Sequence, residues 1–469
     1  MIESIQDLQE ININDYAADE ICLLNNEKSI SDKRQKNIVV HKFGGSSLAT
    51  SERLHAVADT LVRQKETSSI VVVSAPGDVT DFLLELIDSV NDPIIFERNL
   101  RELSWNLSSL VNQTLQPASA EKLTNKLNLW MSEVPFKIKA QMSNEVLAIG
   151  ELLSCHLLAN LLHDRGFKSK AIDARDFLYL NVQVGEDAQV NWRRSEELLK
   201  PLISNGFQII TGFIARDQFG NSINLGRNGS DFSATIVGRL LDASIVQIWT
   251  DVEAIFSADP RKVPSARAYR QVPWELAVRL AELGNPVLHP KTFIPLQGRS
   301  VELVVRSSFE PEKTGSSICR QYSPEVQFVT DLDEVKLVTV LPGNRIRAEQ
   351  VASALQFIVY AVPGTNGEQW IVSEKNLGAL LHFLNSQNVS STVASEQFYS
   401  VAWVKPVIGH YRELSQQVRD WLNCQRPLYS FNDDNISLWL FPSRLTTAEL
   451  SELHQLLLSG ILENFNMKR

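Results

Sequence analysis

Cysteine is scarce. The 469 residues hold four, Cys22, Cys155, Cys319 and Cys424, too far apart to form a CxxC pair. That argues against a disulfide framework or a zinc cluster and suits a reducing compartment. The eight histidines include no metal-ligand pair, and His156 and His163, seven apart on one predicted helix, read as ordinary helix residues. Basic runs are missing too: 45 Lys and Arg stand against 55 Asp and Glu, a net charge of -10. Such a chain is a poor partner for nucleic acid or an anionic membrane. The acidic N-terminus lacks the charged-then-apolar layout of a signal peptide. Apolar runs such as Ile70-Val71-Val72-Val73 are strand-sized, well short of the roughly 20 residues that span a bilayer. These absences predict a soluble, cytoplasmic protein. Composition is average, at 44% hydrophobic and 21% charged, which rules out disordered and low-complexity classes, and the length predicts two or three domains.

Residues 1–36 contain neither Gly nor Pro and read as a polar extension. Regular structure starts at Ile38-Val39-Val40, a strand running into Lys42-Phe43-Gly44-Gly45-Ser46-Ser47. Leu54, Val57, Ala58, Leu61 and Val62 then keep a helical period behind an N-cap at Thr50 or Ser51. Ile70–Val73 is the next strand. Strand, Gly-rich turn, helix and strand make one βαβ unit, so the fold class is α/β with a mostly parallel sheet between helices. Val146, Ile149, Leu153, Leu157 and Leu161 mark a further helix, with strands at Gln208–Ile210 and Ser244–Trp249. Past residue 320 the order becomes strand, helix, two strands, helix, and it restarts about 65 residues later, near Ser400. Four segments are expected: an extension at 1–36, a domain at 37–321, and small tandem α+β domains at 326–398 and 399–469.

Three clusters carry chemistry. Gly44 and Gly45, at a strand end and before a helix, let backbone N–H groups approach an anion, and Lys42 supplies a point charge for a phosphoryl oxygen. A plain tight turn explains the same residues equally well. Gly226-Arg227-Asn228-Gly229-Ser230-Asp231 opens a second helix. Arg227 can clamp a carboxylate, and Asp231 can serve Mg²⁺ or orient a lysine; the bland alternative is a capped helix with a solvated arginine. Trp249-Thr250-Asp251 and Asp259-Pro260-Arg261 put polar groups at a sheet's C-terminal edge, or else form a surface turn. Two Gly-rich anion loops in one α/β domain make phosphoryl transfer the leading idea.

The ordered set KFGGSSLA (42–49), GELLS (150–154), AIDARDF (171–177), LGRNGSD (225–231), WTDVEAIFSADPRKV (249–263) and PVLHPKT (286–292) resembles the aspartate kinases, of the amino-acid kinase fold. The wording is most similar to the kinase half of the methionine-linked bifunctional aspartokinase/homoserine dehydrogenases, without the dehydrogenase domain. The C-terminal repeat resembles that family's paired ACT domains. The resemblance implies transfer of the ATP γ-phosphoryl group to the side-chain carboxylate of L-aspartate, with Mg²⁺. It implies that Lys42 and Asp231 are catalytic and that Gly44, Gly45 and Ser46 cradle phosphate. Thr80, Glu151, Arg227, Asn228, Gly229 and Ser230 would hold aspartate. Lys42, Phe43, Gly44, Gly45, Thr250, Asp251, Phe256 and Arg261 would line the ATP side. No metal ligand set is assigned.

The sequence departs from the family at Asp81, usually Asn, at Ala254 and Phe256, usually Gly and Tyr, and at Pro286, often Lys. A catalytically weak or silent regulatory protein of the same fold is therefore the rival reading. The family implies homodimers or larger assemblies joined through the ACT-like domains, with neither nucleic acid nor membrane as partner. Feedback inhibition by lysine or threonine is expected to be weak, because the loop 342–347 lacks the family's aromatic after Gly343. The second unit's loop, with Gly409 and Tyr411, retains one.

Overall fold

The apolar residues after Asn37 form strand β1 (Val39–Phe43), and the Gly44-Gly45 turn passes directly into a one-turn helix, α1 (Gly45–Leu48). Thr50 caps α2 (Ser51–Arg63), its hydroxyl accepting from the Arg53 N–H at 3.3 Å, and Leu54, Val57, Ala58 and Leu61 are buried as their spacing predicts. Strand β2 (Ser68–Val73) closes the βαβ unit. Four helices follow: α3 (Val79–Asp88), α4 (Pro93–Thr114), α5 (Pro117–Lys139) and α6 (Ser143–Asp164). Asp92 and Pro93 start α4 as N-cap and first helical residue, the side chain accepting from two backbone N–H groups. Helix α6 is mostly apolar and buried over most of its surface. It is long and apolar enough to cross a membrane by composition alone, yet 78% of its most apolar window is packed inside the protein, which makes it a core helix. This computed structural model describes residues 38–64, 68–182, 189–226, 228–283, 287–320, 326–341, 346–348, 350–351, 359–364, 367–406, 414–432 and 435–466. The predicted extension at 1–36, Arg227, Pro286, and the loops 342–345 and 407–413 lie outside the described residues.

The chain continues through β3 (Ser169–Ile172), β4 (Gly206–Thr211), α7 (Gly229–Leu240), β5 (Ile245–Thr250), β6 (Gln271–Pro273), α8 (Trp274–Glu282), β7 (Glu302–Ser307) and β8 (Ser316–Cys319). These strands form one eight-stranded sheet in the order β6-β8-β7-β5-β1-β2-β4-β3. Every neighbouring pair is parallel except β7 with β8. Side chains alternate between two cores. Val40, Val72, Ile210 and Ile248 face one, while Phe43, Val71, Val73, Ile209 and Trp249 face the other, where α2 and α4 to α6 pack. The C-terminal ends of β1, β2, β4 and β5 therefore meet along one edge, the place where open α/β sheets bind ligands.

The C-terminal part is a second sheet. Its strands are β9 (Phe328–Val340), β10 (Val359–Gly364), β11 (Gly367–Ser373), β12 (Ser391–Val393), β13 (Phe398–Val404), β14 (Tyr429–Asn432) and β15 (Ile436–Phe441). They are ordered β10-β11-β9-β13-β15-β14, with β12 also on β9. Helices α9 (Glu374–Ser386), α10 (Gln416–Gln425) and α11 (Thr447–Asn466) accompany them. The sheet does not break at the expected 398/399 division. Strand β9 serves both units: Phe328–Val335 pair with β13, Val335–Val340 pair with β11, and an irregularity between Leu332 and Glu334 separates the two registers. A bulge turns a strand without ending it, so one strand begins both units.

Candidate active site

The turn after β1 is held by contact rather than by sequence alone. Gly77 N–H donates to the Gly45 carbonyl at 2.9 Å, and a Cβ on Gly45 would lie 2.8 Å from the Gly77 oxygen. Only glycine fits there. The Lys42 amine lies over the same turn, 3.4 Å from where a Gly44 Cβ would be, and its Nζ meets Asp231 Oδ1 at 2.6 Å. Both side chains are sequestered, 11% and 9% exposed. Asp231 is in the first turn of α7, whose N-cap Asn228 takes the left-handed conformation at φ 55°. Gly229 is equally constrained: a Cβ would stand 2.9 Å from the Phe213 ring and 3.0 Å from Leu225. The two Gly-rich clusters, far apart in sequence, are thus brought together by the Lys42–Asp231 ion pair. Ser46 is exposed and Ser230 is buried.

Glu151 lies on the other flank. Its helix neighbours Val146, Ile149 and Leu153 are buried, and Glu151 itself is only 2% exposed. Gly150 lets the helix pack closely, since a Cβ would fall 2.6 Å from that of Ala75. The Ala75 N–H donates to Glu151 Oε1 at 3.3 Å, while Oε2 has no partner among the described residues. Burial pushes this carboxyl up to about 8, against the pull of the backbone hydrogen bonds. A buried carboxylate with an open oxygen is costly unless a cation joins it. Thr80, in the first turn of α3, is half-buried close by in sequence to Ala75 and Gly77.

The opposite bank is more open. Thr250 ends β5, its hydroxyl donating to Asp251 Oδ1 at 3.0 Å, and Asp251 is exposed. Phe256 is half-buried. Arg261 is 76% exposed at its side chain and its guanidinium is engaged by Asp259 at 2.9 and 3.0 Å. The Phe43 side chain is wholly in the core, stacked on Trp249 at 5.5 Å, so it can offer a ligand only its backbone. This bank also leans on the C-terminal part: Ser257 Oγ is 2.8 Å from His454 Nε2 on α11, and Lys262 pairs with Asp331 at 2.6 Å. Sequence reasoning missed two features. Arg175 is buried and bridges Asp173 and Glu145, and Ser47 and Ser308 are joined at 2.7 Å. The signal for Arg175 was its quoted motif, to which no role was given; the serines, 261 positions apart, left none.

Residues 37–307 match the amino acid kinase family. The chain belongs to that family. The chain is 32% identical over 323 residues to the chloroplastic bifunctional aspartokinase/homoserine dehydrogenase 1 of Zea mays, covering 64% of this chain and 35% of that protein. It is 30% identical over 291 residues to the lysine-sensitive aspartokinase 3 of Escherichia coli K12, covering 61% of this chain and 64% of the relative. The chain thus spans little more than a third of the bifunctional maize protein's length. Among solved structures, Escherichia coli aspartokinase III in complex with aspartate and ADP superposes with a TM-score of 0.73 at 22% identity, covering 89% of this chain and 99% of that one. That likeness establishes the fold, an amino-acid kinase domain followed by ACT-like α+β units. Within it, Ala254 is buried at the head of a short strand pair, Ile255–Phe256 with Ala268–Tyr269. Glu253 beside it pairs with Lys313.

Proposed function

We propose that this amino acid kinase transfers the γ-phosphoryl group of ATP to the side-chain carboxylate of L-aspartate, giving 4-phospho-L-aspartate, the first step of the pathway to lysine, threonine and methionine. One observation carries the reading: Glu151, a buried carboxylate with an open oxygen, accepts from the N–H of Ala75, whose carbonyl closes on Gly45, and the sequestered Lys42–Asp231 pair lies against the adjoining Gly44. Their charges suit an acceptor with an ammonium at one end and a reactive carboxylate at the other. Glu151 takes the ammonium, and Arg227, with Asn228, Gly229 and Ser230, takes the α-carboxylate. Thr80 and Ser46 orient the acceptor.

In the transfer a carboxylate oxygen forms the new P–O bond as the bond from phosphorus to the β,γ-bridging oxygen breaks, and ADP leaves with the electron pair. Little covalent work falls to the protein, because phosphoryl transfer is catalysed by positioning and charge stabilisation. Lys42 offsets charge on the transferred group, and Gly44 and Gly45 present backbone N–H groups. Asp231 holds Lys42 in place. Thr250, Asp251, Phe256 and Arg261 receive the nucleotide. No cluster of three or more His, Cys, Asp or Glu among the described residues makes a dedicated metal cage. Mg²⁺ would arrive with the nucleotide phosphates, and Asp231 at the start of α7 and Asp251 after β5 are the carboxylates that would hold it. Bound there, the ion would supply positive charge to the phosphates.

Self-association through the ACT-like units and a cytosolic location belong to the same reading. The rival, a silent regulatory protein, draws on one observation: Arg261 is turned to Asp259 on an open nucleotide bank. The test is ADP release driven by aspartate, with glutamate and N-acetylglutamate as controls. Release with aspartate alone supports the kinase, and none with any acceptor supports the rival.

A further inference from the structure

Strands β1 and β5 pair in parallel up to Phe43 opposite Trp249. Beyond that rung β1 leaves the sheet into Gly44-Gly45 and α1, while β5 runs one residue further, Thr250 pairing with Ser307 of β7 and no longer with β1. Two segments that must face each other across the transferred phosphoryl group have no backbone ladder between them at this point. Among the described residues a side-chain bridge takes its place. The Ser47 hydroxyl donates to Ser308 Oγ at 2.7 Å, and the Ser308 hydroxyl donates to the Thr250 carbonyl at 3.2 Å. The Ser308 N–H reaches the same carbonyl at 2.8 Å. Ser47 is 1% and Ser308 7% exposed, so water does not compete for the bridge. A serine hydroxyl carries one proton, and both protons are used in a single direction, from α1 to the end of β5.

We propose that Ser308 is a positioning residue that sets the spacing between the acceptor turn (Gly44–Ser46) and the nucleotide strand end (Thr250-Asp251). The assignment deepens the kinase reading above and rests on it. Misplacing reacting groups by about 1 Å costs up to about 10²-fold in rate, whereas each substrate still binds its own bank. Loss of the bridge therefore acts on turnover and spares the two binding steps.

The experiment is a double-mutant cycle in the full chain. Ser308→Ala and Ser47→Ala should each lower kcat by about 10-fold or more, with KM for aspartate and for ATP within about 3-fold of wild type. Since both remove the same bridge, the double variant should be no slower than the worse single. Unchanged kcat in both singles, losses that multiply in the double, or losses lying wholly in KM would overturn the proposal. Amide hydrogen exchange gives a readout free of turnover: Ser308→Ala should speed exchange at residues 45–48 and leave β1 protected. Unaltered exchange there would also overturn it. If the wild-type chain releases no ADP with aspartate, the kinase reading falls, and the exchange result then decides the bridge alone.

Discussion

The two banks of the site are made of different material. The bank where phosphoryl group and acceptor are proposed to meet consists of core elements: Lys42 at a strand end, Asp231 in the first turn of a buried helix, Glu151 on a mostly buried helix. Its charges are sequestered and its turns are closed by contacts that admit only glycine. The nucleotide bank is a strand end and a surface loop, with Asp251 in solvent and Arg261 three-quarters exposed. What rigidity it has comes from the C-terminal unit. Ala258 and Val263 join a core cluster with Trp403, Trp421 and Leu453, and Ser257 meets the buried His454, whose imidazole burial pushes down to about 4. On the proposed reading, acceptor recognition rests on the main sheet alone, whereas the nucleotide bank is also packed against the C-terminal unit. Losses should therefore be large and specific on the first bank and small on the second.

The sharpest way to break this contrast is at Lys42. Lys42→Met should lower kcat by roughly 10²–10³-fold, about 3–4 kcal/mol of barrier, with KM for aspartate little changed. Retention of more than about a tenth of the rate would remove the residue from the catalytic role.

Glu151→Gln comes next and separates binding from stability. A lost hydrogen bond to a charged group is worth about 1.5–3 kcal/mol, so KM for aspartate should rise roughly 10- to 150-fold while KM for ATP stays put. Stability should move the other way. Burial raises this carboxyl to about 8 from an ordinary 4.5, so the folded chain keeps a proton that the unfolded chain releases. Wild-type stability thus falls as pH climbs through that interval, and the amide variant escapes the loss. Its thermal midpoint should exceed wild type at about pH 8 and match it at about pH 5. Equal midpoints at both would place Glu151 in contact with water.

Gly45→Ala tests whether the acceptor turn is fixed by close approach. The new methyl would fall 2.8 Å from the Gly77 oxygen. Such overpacking costs about 1–3 kcal/mol, to be read as a lower midpoint in thermal or denaturant unfolding. The smallest effect is expected at Arg261. Arg261→Ala should raise KM for ATP less than about 5-fold and leave stability unchanged, as befits an exposed pair. A loss as large as that at Lys42 would erase the distinction between the banks.

Much of this was legible in the residues. The strand, Gly-Gly turn and capped helix at 38–62 follow from an apolar triplet, two glycines and Thr50, because each signal is local. The Lys42–Asp231 pair was anticipated from the resemblance, and the topology that brings β1 beside α7 makes it a contact. Local reasoning failed where burial is set by distant elements. Nothing in GELLS says that the Glu151 side of its helix is packed against Ala75, and no pattern links Ser47 to Ser308. In the tandem repeat, local pattern gives strand, helix and strand in each half, but not that β9 pairs into both halves, because an irregularity at 332–334 changes its partner without ending it.

The most direct test of the account is the pH dependence of kcat/KM for aspartate, which reports ionisations of the free enzyme. If Glu151 is the buried ammonium site, kcat/KM rises with pH and levels off through an inflection near 8 in wild type, and that inflection vanishes in Glu151→Gln. A wild-type profile flat from about pH 6 to 9, or the same inflection in the variant, would contradict the buried acceptor bank.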